Sequence, residues 1–181
     1  MPKNVVQYEL LISCPGDVTA ERQIILDVVK RFNELYSKNA GINIVPRHWT
    51  SSAYPESGGS PQRILNKQFI DECDAAVAIF WSRFGTPTDE YGSGTEEEIE
   101  GMLNSGKQVF VYFSDVPVAP STINSAQYEA VKSFREEYTD KGVYFTYRTR
   151  DEFKEMFFTH LSMHFLSVQK LTEFVAEKKL Y

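Results

Sequence analysis

Seven consecutive apolar residues, Ala75-Ala76-Val77-Ala78-Ile79-Phe80-Trp81, sit between Asp74 and Ser82. A run of that length leaves no position to face water. It therefore suits a strand covered on both sides, as in parallel sheets flanked by helices. It is also far too short to cross a bilayer.

The rest of the chain alternates as such a sheet requires. Val5–Ser13 reads as a first strand, broken by Pro15-Gly16, with Asp17 a candidate N-cap. Ile24, Ile25, Val28, Val29, Phe32, Leu35 and Tyr36 then recur along one face of a helix, and Gly41 is a candidate stop. Ile42–Trp49 is a second strand whose Pro46 belongs at a sheet edge. Thr50–Ser60 is a Ser-, Gly- and Pro-rich loop, and Pro61 opens a helix with Ile64, Leu65, Phe69 and Ile70 inward. After the apolar strand come a polar loop (Ser82–Thr95), a helix (Glu96–Asn104) and a strand (Val109–Phe113). A loop with two prolines (Asp115–Ser125), a helix (Ala126–Tyr138) and a strand (Val143–Tyr147) follow. From Arg150 onward Phe153, Phe157, Leu161, Phe165, Val168 and Leu171 mark one long helix.

Strands separated by single helices predict an α/β fold, a flavodoxin-like three-layer sandwich. Its parallel sheet has five strands in the order 2-1-3-4-5, which puts Pro46 at an edge. Residues 1–149 make the α/β domain and 150–181 the C-terminal helix. That helix packs on the domain, pairs with another copy, or leads to a partner or further domain.

Composition narrows the function. A chain of 181 residues buries a core without staples. Its net charge of −6 argues against coating DNA or RNA, which needs a basic surface. Cys14 and Cys73 make neither a disulfide framework nor zinc spacing, and Met1-Pro2-Lys3-Asn4 does not read as a signal peptide, so a cytoplasmic protein with two reduced thiols is expected. His160 and His164 lie four apart on the last helix, but no Glu follows His160 and no third ligand is evident, so the pair reads as structural. No metal site is expected. The Ser57-Gly58-Gly59-Ser60 stretch has neither dinucleotide-binding nor P-loop spacing.

Ligands of such sheets bind beyond the carboxyl ends of the strands, where the order reverses between strands 1 and 3. Ser13–Asp17 and the two long loops meet there. Ser93-Gly94-Thr95-Glu96-Glu97-Glu98-Ile99 is the sharpest local signal. Thr95 as N-cap with acids on the first turn is a structural explanation. Glu98, however, adjoins the apolar face marked by Ile99, Met102 and Leu103, and a carboxylate at the edge of a buried face is a catalytic candidate. His48, beside Trp49, is a possible ligand contact. Arg22 reads as a helix-surface ion-pair partner. Cys14 lies where a thiol pKa can be lowered, with no histidine to pair with.

Gly94-Thr95-x-x-Glu98-Ile99 resembles the Gly-Thr-x-x-Glu signature of nucleoside deoxyribosyltransferases, whose Glu is the nucleophile. The wider pattern resembles bacterial Toll/interleukin-1 receptor (TIR)-like domains, often found at the front of defence or signalling NTPases. Leu11-Ile12-Ser13, Asp17-Val18, Glu21-Arg22, Trp49, Tyr54-Pro55, Pro61-Gln62, Asp74 and Trp81–Pro87 carry that resemblance, over roughly residues 5–148. The chain departs from the TIR pattern in having Gly94-Thr95 where many members have Trp-Cys.

The resemblance implies cleavage of the nicotinamide–ribose bond of NAD+, as glycohydrolase or cyclase, in antiviral defence. NAD+ is then substrate and no cofactor is needed. Glu98 would stabilise the oxocarbenium ion. Trp49, Tyr54, Trp81 and Phe84 are candidates to stack on a base, with Trp81 equally readable as a core aromatic. Ser13, Asp17, Arg83 and Thr95 are candidates for ribose or phosphate contacts. Homo-oligomerisation through the loop over residues 50–60 is implied as well. The alternatives are a nucleoside 2-deoxyribosyltransferase-like enzyme and a catalytically silent adaptor or nucleotide-signal-binding module.

Overall fold

The computed structural model describes residues 4–48, 64 and 69–178, with side chains to 170. Five parallel strands form one sheet: β1 (Val6–Ser13), β2 (Ile42–Arg47), β3 (Ala75–Phe80), β4 (Gln108–Ser114) and β5 (Tyr144–Tyr147). Their order is β2-β1-β3-β4-β5. Pro46 does lie on an edge strand, beside Leu10 of β1. All six residues of β3 are buried, as an unbroken apolar strand must be.

The helices are α1 (Thr19–Tyr36), α2 (Gly94–Asn104), α3 (Ser125–Tyr138) and α4 (Arg150–Lys178). Of the helix expected from Pro61, Ile64, Phe69 and Ile70 are helical, and the rest lies outside the described residues. Side chains alternate across the sheet. Leu10, Ile12, Val77, Ile79, Phe110 and Tyr112 meet α1 and α4 on one face. Leu11, Ala76, Ala78, Phe80, Val111 and Phe113 meet α2 and α3 on the other. The three layers follow from that alternation.

The last helix contributes Phe153, Phe157, Leu161 and Phe165 to the core beside α1, so this stretch is an integral layer of the domain. His160 is structural: its Nδ1 lies 2.8 Å from the Tyr112 hydroxyl, and its ring stacks on that tyrosine.

Two cap assignments change. Val18, not Asp17, occupies the N-cap of α1, with no side-chain cap. Ser93, not Thr95, caps α2, its Oγ accepting from the Glu96 N–H at 3.1 Å. Asp17 is drawn away by Ser82, in the segment after β3, and α2 starts one residue before Thr95. Gly41 has a φ of +65°, as expected for a residue that turns the chain out of α1 toward β2.

Candidate active site at the carboxyl ends of β1 and β3

The chain order places β1 and β3 side by side, with their following segments leaving in opposite directions over the sheet. Ser13 is the last residue of β1, and its alternation points it to the α2 face. There its hydroxyl donates to Glu98 Oε2 at 2.5 Å, the short range typical of a hydroxyl on a carboxylate. Both residues are buried, Ser13 at 1% and Glu98 at 9% exposed. Glu98 reaches this position because Ser93 starts α2 and Ile99 and Met102 seat the helix on β3 and β4. Glu96 is spent elsewhere: its Oε2 accepts from the Gly92 N–H at 2.8 Å, reinforcing the start of α2. Thr95 is buried in the first turn.

Asp17 joins the two strand ends. Its Oδ2 accepts from both the backbone N–H and the hydroxyl of Ser82, each at 2.9 Å. Its Oδ1 is buried and has no hydrogen-bond partner among the described residues. The neighbouring helix turn brings a third carboxylate, Glu21, 1% exposed. Arg150 Nε donates to Glu21 Oε1 at 3.0 Å, tying α1 to the start of α4.

Cys14 lies among these charges. Burial pushes its thiol up to about 12; the Arg22 guanidinium pulls it down, while Glu98, Asp17 and Glu21 raise it further. Burial outweighs the location at a strand–helix junction, so Cys14 stays a protonated thiol at neutral pH and is no nucleophile. On the β2 side His48 is 6% exposed, and Arg22 Nη1 lies 3.4 Å from its Nε2. Burial, then the Arg22 charge, hold this imidazole down at about 4, so it is neutral at pH 7.

The segment after β3 is a fixed wall. Gln127 of α3 accepts through Oε1 from the Phe84 and Gly85 N–H groups, both at 2.9 Å, and donates to the Gly85 carbonyl at 3.0 Å. Gly85 has a φ of +114°, which a side chain would strain. Phe84 corrects the expectation of a loop aromatic open to a base. It is 6% exposed, with its ring centroid 5.5 Å from that of Phe80 and 5.3 Å from that of Phe134. Trp81 is partly buried, and its Nε1–H donates to the Val116 carbonyl at 2.8 Å. Arg83 is exposed. Trp49, Tyr54 and the whole Thr50–Ser60 loop lie outside the described residues.

The structure thus brings together Ser13, Asp17, Glu98 and Thr95. It also brings His48, the candidate ligand contact, against Arg22, which pairs with no acid among the described residues, and it ties Glu21 to Arg150 instead. A separate groove of about 470 Å³ lies beside β4 and β5, lined by Tyr112, Phe145, His160, Met163 and others. It is on the far side of the sheet's centre from Glu98. Among the described residues no group of three or more His, Cys, Asp or Glu could hold a metal ion, and no helix is long and apolar enough to cross a membrane.

Residues 12–162 match the family model described as "Domain of unknown function (DUF4062)". No curated protein matches the sequence. Among solved structures, a conserved protein from Enterococcus faecalis V583 is similar at 14% identity and a TM-score of 0.42, over 83% of this chain and 96% of that one. Oxidised flavodoxin 1 from Bacillus cereus is similar at 16% identity and a TM-score of 0.41, over 87% and 97%. Homoserine dehydrogenase from S. aureus is similar at 10% identity and a TM-score of 0.39, over 79% of this chain but 33% of that one. Scores this low carry no weight on function; the fold assignment rests on strand order.

Proposed function

The chain belongs to the DUF4062 family, and we propose that it is an NAD+ nucleosidase of TIR-like type, cleaving the nicotinamide–ribose bond, with Glu98 as its catalytic carboxylate. The observation that carries this reading is the buried Glu98 carboxylate, held by the Ser13 hydroxyl at 2.5 Å at the strand-order reversal. An acid placed there only for solubility would be exposed, and Glu98 is 9% exposed.

The chemistry fits one carboxylate. The bond from ribose C1′ to the nicotinamide nitrogen breaks with its electron pair going to nicotinamide, which leaves uncharged and needs no strong acid. Positive charge develops on C1′ and its ring oxygen, where a fixed carboxylate in a poorly solvated site is most effective. Water adds to C1′ and releases a proton, giving ADP-ribose; the adenine of the same molecule can replace water and give a cyclic product. Ser13 keeps Glu98 from rotating away. Asp17, with one oxygen fixed by Ser82 and one without a partner among the described residues, offers an acceptor for a ribose hydroxyl.

Incubation with NAD+ and separation of the products is the direct test. Free nicotinamide that vanishes in the Glu98→Gln variant supports the reading. Base exchange on deoxynucleosides, with NAD+ untouched, would instead make Glu98 the covalent nucleophile of a deoxyribosyltransferase. No turnover of either, at high concentration, would leave a binding or adaptor role. Under the proposal the protein acts in bacterial antiviral defence, in the cytoplasm where NAD+ is found, and as a homo-oligomer.

A further inference from the structure

Three carboxylates, Asp17, Glu21 and Glu98, converge on the carboxyl ends of β1 and β3. A dinucleotide brings two phosphate charges of the same sign. It can seat there only where a cation receives them. Glu21 is already matched by Arg150. Arg83 stands exposed on the wall after β3, where water and salt screen its charge.

Arg22 is different. It is half-buried on the first turns of α1 and takes part in none of the ion pairs between described residues. Its Nη1 rests 3.4 Å from Nε2 of a buried, neutral His48. That contact orients the guanidinium while using one of its five N–H donors. The Arg22 charge is also felt at Cys14, the residue after Ser13, whose thiol it pulls down while Glu98 raises it. Arg22 lies on the first turns of the helix that follows β1, and His48 just beyond the end of β2, so the guanidinium stands at the same carboxyl edge of the sheet as Ser13 and the Glu98 it holds.

We infer that Arg22, oriented by His48, is the phosphate-binding residue of this site and makes it select nucleotides carrying a diphosphate over bare nucleosides. A planar guanidinium whose remaining donors no other described residue takes up suits phosphate oxygens, and partial burial strengthens the pairing. The inference rests on the reading of the Glu98 site as a nucleotide site, and it does not depend on which bond is cut there.

The test is calorimetric titration of the whole chain with ADP and with adenosine. The wild-type protein is expected to bind ADP at least tenfold more tightly than adenosine, a margin that shrinks with added salt. Arg22→Ala should erase the margin and leave adenosine affinity unchanged, and Arg22→Lys should keep part of it. If the alanine variant does not fold, Arg22→Gln takes its place. An undiminished ADP preference in the variant overturns the inference. So does an equal loss of ADP and adenosine, which would mean a structural role, or a wild-type protein without the preference. Nicotinamide release from NAD+ is read in parallel. Its absence alongside an Arg22-dependent ADP preference would sink the nucleosidase reading and spare this one; release that Arg22→Ala leaves untouched in KM would do the reverse.

Discussion

A carboxylate as buried as Glu98 costs free energy unless something compensates it, and the Ser13 hydroxyl is part of that compensation. If the charge serves the oxocarbenium ion, Glu98→Gln keeps the shape and removes the charge. Nicotinamide release from NAD+ should then fall by two or more orders of magnitude with an unchanged melting temperature. Ser13→Ala should cost a smaller factor, about tenfold, because the carboxylate stays but loses its orientation. Assays of Glu97→Gln beside them decide the assignment: equal loss there with an active Glu98→Gln protein moves the site. Phe84 belongs at this scale too. Packed between Phe80 and Phe134, it should behave as a core ring, and Phe84→Ala should destabilise by about 3–5 kcal/mol in urea unfolding. Wild-type stability with weakened nucleotide binding would return it to the ligand.

Among the elements, α4 begins at the site and ends far from it. Arg150 opens the helix and reaches Glu21 on α1, whose carboxylate is buried while the Arg150 side chain is 46% exposed. The asymmetry sets an order of effects. Arg150→Ala leaves a buried charge unmatched and should cost about 1–2 kcal/mol, between the values for surface and for fully buried pairs. Glu21→Gln removes the buried charge itself and should cost less. Chemical denaturation of the two variants checks the order, and a larger loss for Glu21→Gln would show that packing around Glu21 dominates. The elements themselves were readable in the sequence because their signals are local. The run from Ala75 demanded a central strand, Pro46 demanded an edge, and the apolar periods from Ile24 and Phe153 demanded helices, with ends shifted by one or two residues. Glu98 was legible because it abuts Ile99 and Met102 on the same helix. Asp17 was misread as a cap because its partner, Ser82, is 65 positions away. Phe84 was misread for the same reason: the polar segment around it hides that Gln127 pulls its backbone inward. Glu21, Arg22 and His48 gain their meaning only when α1, β2 and α4 meet.

At the scale of the whole molecule, β2 is an outer strand, and His48 meets Arg22 just beyond its carboxyl end. The resemblance to TIR-like domains implies homo-oligomerisation through residues 50–60. With the proposed function, turnover per subunit should rise with concentration across a hundredfold dilution series, and Tyr54→Arg should flatten the rise. Constant turnover down to concentrations where light scattering finds only monomers would mean that one chain holds the complete site.

The two cysteines stand at opposite ends of the sheet, Cys14 just after β1 and Cys73 just before β3, and burial pushes both thiols up to about 12. Thiolate, the form that reacts, is therefore scarce at neutral pH, and Cys73 is buried while Cys14 is partly exposed. Labelling at Cys73 then keeps time for the parting of its end of the sheet, and labelling at Cys14 for access to the carboxyl ends of β1 and β3. A nucleotide resting in the proposed site should slow the clock at Cys14 and leave the one at Cys73 running, which mass spectrometry of labelled peptides reads directly. Equal slowing at both would mean that the molecule opens as one piece.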